Sequence, residues 1–292
     1  MLFVTMPGTS AQRLDLKQRS LTEVFPMSSR SHKSLKPALI RGLVPTLGMI
    51  ALSTAPAFAQ ASPDVMKATL SQPSEKTLEV STEELRRILA DRSATVFDAR
   101  PQAEFAISHI PGAVNVAPKA GMPMSAYVSD VAEIGRVLGD RKDAPIVLYC
   151  NGPFCGKSKR LAEELVAAGY TGVRRYQLGI PMWRALVGAT QIEPEGIRHV
   201  RESDRTAVFF DARPAEEFKA GTLAGARHLP KADVSKAKDD GRLPMEDHNT
   251  RIVVFGANAG QAREVAEEIA KNAFHNVSFY AGSLADLKLA QN

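Results

Sequence analysis

Cysteine is scarce in this sequence: only Cys150 and Cys155 occur among its 292 residues, and both fall in one short stretch. With the histidines scattered, no cluster has the spacing of a metal site. Neither a Walker phosphate loop nor a dinucleotide glycine fingerprint is present, so no metal or cofactor is expected. A genuine excess of positive charge is also lacking. The formal charge of +5 resides in residues 1–59, where Arg13, Lys17, Arg19, Arg30, Lys33, Lys36 and Arg41 face only Asp15 and Glu23. The remainder carries equal numbers of each sign, which removes the argument for a nucleic-acid partner. No apolar run is long enough for a stable membrane anchor. The best one, Gly42 to Leu52, is too short to span a bilayer.

That short run belongs to a pattern with the grammar of a secretory signal. Arg30, Lys33, Lys36 and Arg41 precede it, and Ala57-Phe58-Ala59 follow it as a small-residue exit. Cleavage is expected before Gln60, which places the mature protein in the periplasm or outside the cell, an oxidising compartment. Residues 1–26 are long for such a segment, and Met27 offers an alternative start. Residues 60–76 are polar and read as a flexible linker.

What is abundant is repetition. VFDARPQAEF (Val96–Phe105) returns as FFDARPAEEF (Phe209–Phe218), and HIPGAVNV (His109–Val116) returns as TLAGARHL (Thr222–Leu229). IVLYC (Ile146–Cys150) is matched by IVVFG (Ile252–Gly256). An amphipathic helical pattern follows each, expected over Ser158–Ala168 and Gly260–Lys271. Two tandem α/β domains are therefore expected, at residues 77–190 and 191–292. Each should have a mainly parallel central sheet covered by helices on both faces. Ligands of such sheets bind at the carboxyl ends of the strands, where Cys150 falls.

The stretch around Cys150 carries the chemistry. An apolar strand ends on the cysteine, a glycine-bearing loop follows, and Ser158 is expected to open the next helix. Backbone N–H groups and the positive helix end would converge near the sulfur and favour its thiolate. Residues 151–157 contain no acidic side chain, Gly152 and Gly156 let N–H groups turn inward, and Lys157 supplies a positive charge. The alternative for Cys150 is a buried structural cysteine. Cys155 is either a resolving thiol, able to close a disulfide that would silence Cys150 until reduced, or a packing residue. Asp98 and Arg100 recur as Asp211 and Arg213 in a copy without cysteine, so an ion pair pinning the strand-to-helix turn is expected of both.

In the Asp98-x-Arg100 pair, His109-Ile110-Pro111-Gly112-Ala113, Tyr149-Cys150, Ser158, Gly179 and Trp183, the chain resembles the rhodanese family of sulfurtransferases. The resemblance covers both domains and is similar to the tandem arrangement in which one domain keeps the cysteine and the other lacks it. It implies transfer of sulfane sulfur from a small anionic donor such as thiosulfate to cyanide or a thiol, a protein thiol included, through a Cys150 persulfide. The persulfide- and substrate-binding residues it implies are Asn151, Gly152, Phe154, Cys155, Gly156, Lys157, Ser158 and Arg100. The usual family loop is about two residues shorter, and the added length allows a bulkier donor. The alternatives are a thiol–disulfide or sulfur-carrier module using both cysteines, and a non-catalytic binding protein. An oxyanion phosphatase or arsenate reductase is disfavoured, because the loop lacks the arginine fork that chemistry requires.

Overall fold

The computed structural model describes residues 64–71, 76–119 and 121–289. The expected signal segment and its exit at Ala59 lie outside the described residues. None of the described helices is long and apolar enough to cross a membrane.

The first domain runs β1 (Leu78–Glu79), α1 (Thr82–Asp91), β2 (Thr95–Asp98), α2 (Gln102–Ile107), β3 (Val114–Asn115), α3 (Asp130–Leu138), β4 (Ile146–Tyr149), α4 (Gly156–Ala167), β5 (Val173–Tyr176) and α5 (Gly179–Leu186). Its five strands pair in the order β1-β5-β4-β2-β3, all parallel. The second domain repeats the plan with β6 (Thr190–Ile192), α6 (Pro194–Ser203), β7 (Val208–Asp211), α7 (Ala215–Ala220), β8 (Arg227–His228), α8 (Val234–Ala237), β9 (Ile252–Phe255), α9 (Ala259–Ala270), β10 (Val277–Tyr280) and α10 (Leu284–Leu289). The order β6-β10-β9-β7-β8 is again parallel.

Side-chain alternation explains why each sheet is covered twice. Ile146 and Leu148 face one way and pack on Ile134, Leu138, Leu161 and Leu165 of α3 and α4. Val147 and Tyr149 face the other way, onto Leu85 and Ile88 of α1 and Ile180 and Trp183 of α5. The helices begin where side chains can supply the missing acceptors. Ser81 caps α1 by accepting from the Glu84 N–H at 3.2 Å, and Ser129 caps α3 by accepting from Ala132 at 3.1 Å.

The two domains meet along α2 and α6. Gly196 lets them approach closely, because a Cβ there would lie inside contact distance of the Ala106 carbonyl. The backbones of His109 and Gln191 exchange hydrogen bonds of 2.9 Å each way. A buried hydroxyl chain runs from Ser108 to Thr190 and on to Ser278, 2.8 Å per step.

Candidate active site

Cys150 sits directly after β4 and is 3% exposed. Its carbonyl accepts from the Ile180 N–H at 3.2 Å, which ties the strand end to the start of α5. Gly179 makes that junction possible. Its φ is +66°, and a Cβ would press on the Gly152 N and the Cys150 carbonyl, so a larger residue would displace the loop. Gly152 has φ +124° and is buried, and its carbonyl accepts from the Cys155 N–H at 2.9 Å. This turn brings the chain back so that Cys150 and Cys155 form a disulfide, with Cα atoms 6.2 Å apart.

The helix starts earlier than the sequence pattern suggests. α4 begins at Gly156 with Cys155 as its N-cap, so Lys157 and Ser158 occupy its first turn rather than closing the loop. The Gly152–Cys155 turn lets the helix begin at a glycine that helical periodicity passes over. Correspondingly, α9 begins at Ala259 rather than Gly260.

No side chain caps α4. In the second domain the equivalent helix caps itself. Asn258 Oδ1 accepts from the Gln261 N–H at 3.0 Å, while Gln261 Oε1 accepts from the Ala257 N–H at 2.8 Å. The cysteine-bearing copy thus leaves the first-turn N–H groups of its helix without a side-chain acceptor beside the cysteines, whereas in the cysteine-less copy Asn258 takes one such donor and Gln261 takes the N–H of Ala257 just before the helix.

Gln177, just beyond β5, holds the loop from beneath. Its amide donates to the Pro153 carbonyl at 3.1 Å and the Cys155 carbonyl at 3.4 Å. Its Oε1 accepts from Arg175 Nη1 at 2.5 Å, and Arg175 Nε donates to Thr77 Oγ1 at 2.8 Å. All three side chains are buried. The sequence signal is an arginine inside an otherwise buried strand; neither Arg175 nor Gln177 is among the site residues expected from sequence.

The remaining expected residues take distinct places. Ser158 is buried, Gly156 has open space where a Cβ would be, and Phe154 is fully exposed. Asn151 donates to Glu104 Oε2 at 2.7 Å, and Lys157 lies 3.8 Å from Asp130 Oδ2. The loop's freedom from acidic residues is therefore a property of its own sequence only, because α2 and α3 bring two carboxylates to its rim. Arg100 is buried against Asp98, with Nε 3.0 Å from each carboxylate oxygen and Nη2 2.5 Å from Oδ2. Nη2 also donates to the Ser108 carbonyl at 2.7 Å. Burial is the largest single effect and pulls the Arg100 pKa down, but the hydrogen bonds and charge of Asp98, together with Tyr149, outweigh it and leave the pKa raised. Arg213 and Asp211 repeat the pair at 2.7 Å, so the ion-paired turn occurs in both copies. Trp183 is buried in the α5 core and donates from Nε1 to the Ala189 carbonyl at 3.4 Å.

Two parallel five-stranded α/β domains, one carrying a disulfide-bonded cysteine pair between a strand end and a helix without a side-chain cap, define a tandem α/β protein with its two cysteines in one copy. The chain belongs to the Rhodanese-like domain family, whose model matches residues 81–186 and 198–290. It is 32% identical over 108 residues to the human thiosulfate:glutathione sulfurtransferase, a match covering 36% of this chain and 90% of that protein. It is 31% identical over 105 residues to an HTH-type transcriptional regulator of Mycobacterium tuberculosis, covering 36% of this chain and 41% of the regulator. Among solved structures, the thiosulfate sulfurtransferase from Pseudomonas aeruginosa is similar at 21% identity with a TM-score of 0.29. That match covers 72% of this chain and 42% of the Pseudomonas chain.

Proposed function

We propose that the protein is a sulfurtransferase that carries sulfane sulfur on Cys150. The observation that supports this is the contrast between the copies: the helix facing the cysteine lacks a side-chain cap, whereas its cysteine-less counterpart caps itself. An anion at Cys150 then supplies the acceptor that Asn258 and Gln261 supply elsewhere. With the disulfide reduced, the Cys150 thiolate attacks the outer sulfur of thiosulfate, forming a Cys150 persulfide anion and releasing sulfite. A thiolate or cyanide then attacks the outer persulfide sulfur, takes it, and regenerates the Cys150 thiolate. Thiosulfate and a glutathione-type thiol are the donor and acceptor of choice, because the name of the human relative carries both.

The disulfide favours a second reading, in which Cys155 takes part. The Cys155 thiolate attacks the inner sulfur of the persulfide, releases hydrosulfide and closes the Cys150–Cys155 bond. Two external thiols reopen it by exchange. The expected leader, with its Ala57-Phe58-Ala59 exit, supports export to the periplasm or beyond. Amino-terminal sequencing of protein recovered outside the cytoplasm is expected to begin at Gln60.

Intact mass spectrometry tests the chemistry. The reduced chain, freed of reductant and given thiosulfate, is expected to gain one sulfur atom. The gain should vanish in Cys150→Ser and persist in Cys155→Ser. An unchanged mass with every sulfane donor rejects the transferase. Turnover lost in Cys155→Ser despite sulfur loading places Cys155 in the cycle.

A further inference from the structure

A cavity of about 1000 Å³ lies between α1 and α5 of the first domain and α9 and β10 of the second. Its lining is strongly basic. Arg86 and Arg92 come from α1 and its C-cap, Arg184 comes from α5, and Arg263 and Lys271 come from α9 and its C-cap, with Glu267 as the carboxylate among them. Glu267 is already committed to Arg263 at 2.7 Å, and Lys271 pairs with Glu268 at 2.7 Å. The side chains of Arg86, Arg92 and Arg184 have no hydrogen-bond or ion-pair partner among the described residues.

Arg184 is the informative one. Its Nε is fully buried and unsatisfied. Burial above all, with the neighbouring charges of Arg100 and Arg251, pulls its pKa down to about 10, so it remains charged at neutral pH. A half-buried cation without a counter-ion is costly, and its environment here is made worse by further cations. The guanidinium fork is shaped for an oxyanion, and positive side chains on both domains face the same space. Clefts between domains are also where ligand sites concentrate.

We propose that this inter-domain cleft binds a multivalent oxyanion, with one acid group on Arg184 and others reaching Arg86 or Arg92 on one wall and Arg263 on the other. The volume exceeds what a single sulfur oxyanion fills, and the site belongs to other elements than the cysteine loop. A ligand held by both domains would fasten them together.

Thermal unfolding of the full chain with its disulfide intact tests this. The probes are inorganic pyrophosphate and citrate, each compared with sodium chloride at matched ionic strength. A saturable rise in Tm beyond the salt control is expected with at least one probe, and the arm that responds identifies phosphate or carboxylate chemistry. Half-saturation should weaken at least tenfold in Arg184→Gln and in Arg263→Gln, the latter an exposed change that keeps the test open if the former does not fold. Lys157→Gln, beside the cysteine loop, should leave the response intact. A rise no larger than that with chloride, one unchanged in the folded arginine variants, or one abolished by Lys157→Gln overturns the proposal.

Discussion

Gln177 shows how one side chain outside the cysteine loop can set its shape. By donating to the carbonyls of Pro153 and Cys155 it fixes two points of the loop from its buried side, while Arg175 holds its oxygen and prevents the amide from turning over. Gln177→Leu removes both loop contacts and takes one acceptor from Arg175. Loss of such buried partners costs about 1–3 kcal/mol, and a comparable fall in urea-unfolding stability is expected, with sulfur transfer reduced at least tenfold. Gln177→Glu preserves an oxygen for Arg175 but turns a carboxylate toward two carbonyls. It should therefore lose transfer activity while keeping more of its stability than the leucine variant. Wild-type activity in both would show that the loop holds its form without this amide.

At the level of elements, the start of α4 decides whether the site accepts an anion. Cys155 occupies the N-cap position, where aspartate is among the strongest caps and lies against the positive end of the helix dipole. Cys155→Asp is expected to be about 0.5–2 kcal/mol more stable than Cys155→Ala, the usual worth of a cap. It should also fail to load sulfur from thiosulfate, because its carboxylate takes the donors and repels the incoming anion. Cys155→Ala should still load. Parallel denaturation curves and mass spectra of the two variants check both halves, and efficient loading of the aspartate variant would show that the helix end is not where the anion rests. The strands and the repeat were legible because β2, β4, β7 and β9 are apolar runs written twice. By contrast, β1 has two residues and β6 three, too few for any periodicity to declare itself. The sequence of α3 is not repeated in the second copy, where the four-residue α8 takes its place, and α4 opens on a glycine that propensity argues against. The cysteine was legible from its place at a strand end. Gln177, Glu104 and Asp130 were not, because only the fold of β5, α2 and α3 around the loop brings them there.

Over the whole molecule, the balanced charge of residues 60–292 conceals a local concentration of arginine between the domains, and two copies of one plan are joined through a small, mostly buried seam. His109 lies in that seam, stacked on Phe105 at 3.8 Å between ring centroids. Its Nδ1 donates to the Phe105 carbonyl at 2.9 Å, which leaves the Nε2 lone pair facing Glu193 Oε1 at 3.4 Å across the domain boundary. Burial first, and then the charge of Arg100, hold the imidazole down at about 4, despite the opposing pull of the Phe105 carbonyl. Burial also raises the Glu193 pKa, so the contact joins two groups that both resist charging. The unfolded chain takes up the His109 proton near its ordinary value of 6.5, whereas the folded chain declines it until about 4. His109 therefore contributes stability fully above pH 6.5, and that contribution is lost as the pH falls toward 4. Glu193 acts in the opposite sense, costing stability as the pH rises above the usual carboxylate range, so the histidine is best isolated in Glu193→Gln. In that background, stability should drop between pH 7.5 and pH 5 by roughly 2 kcal/mol more with His109 present than in His109→Gln, the difference linkage assigns to a shift of this size. Urea midpoints at the two pH values measure it. Identical pH profiles with and without the imidazole would mean that it titrates as if in water, and that the seam between the domains is open rather than closed.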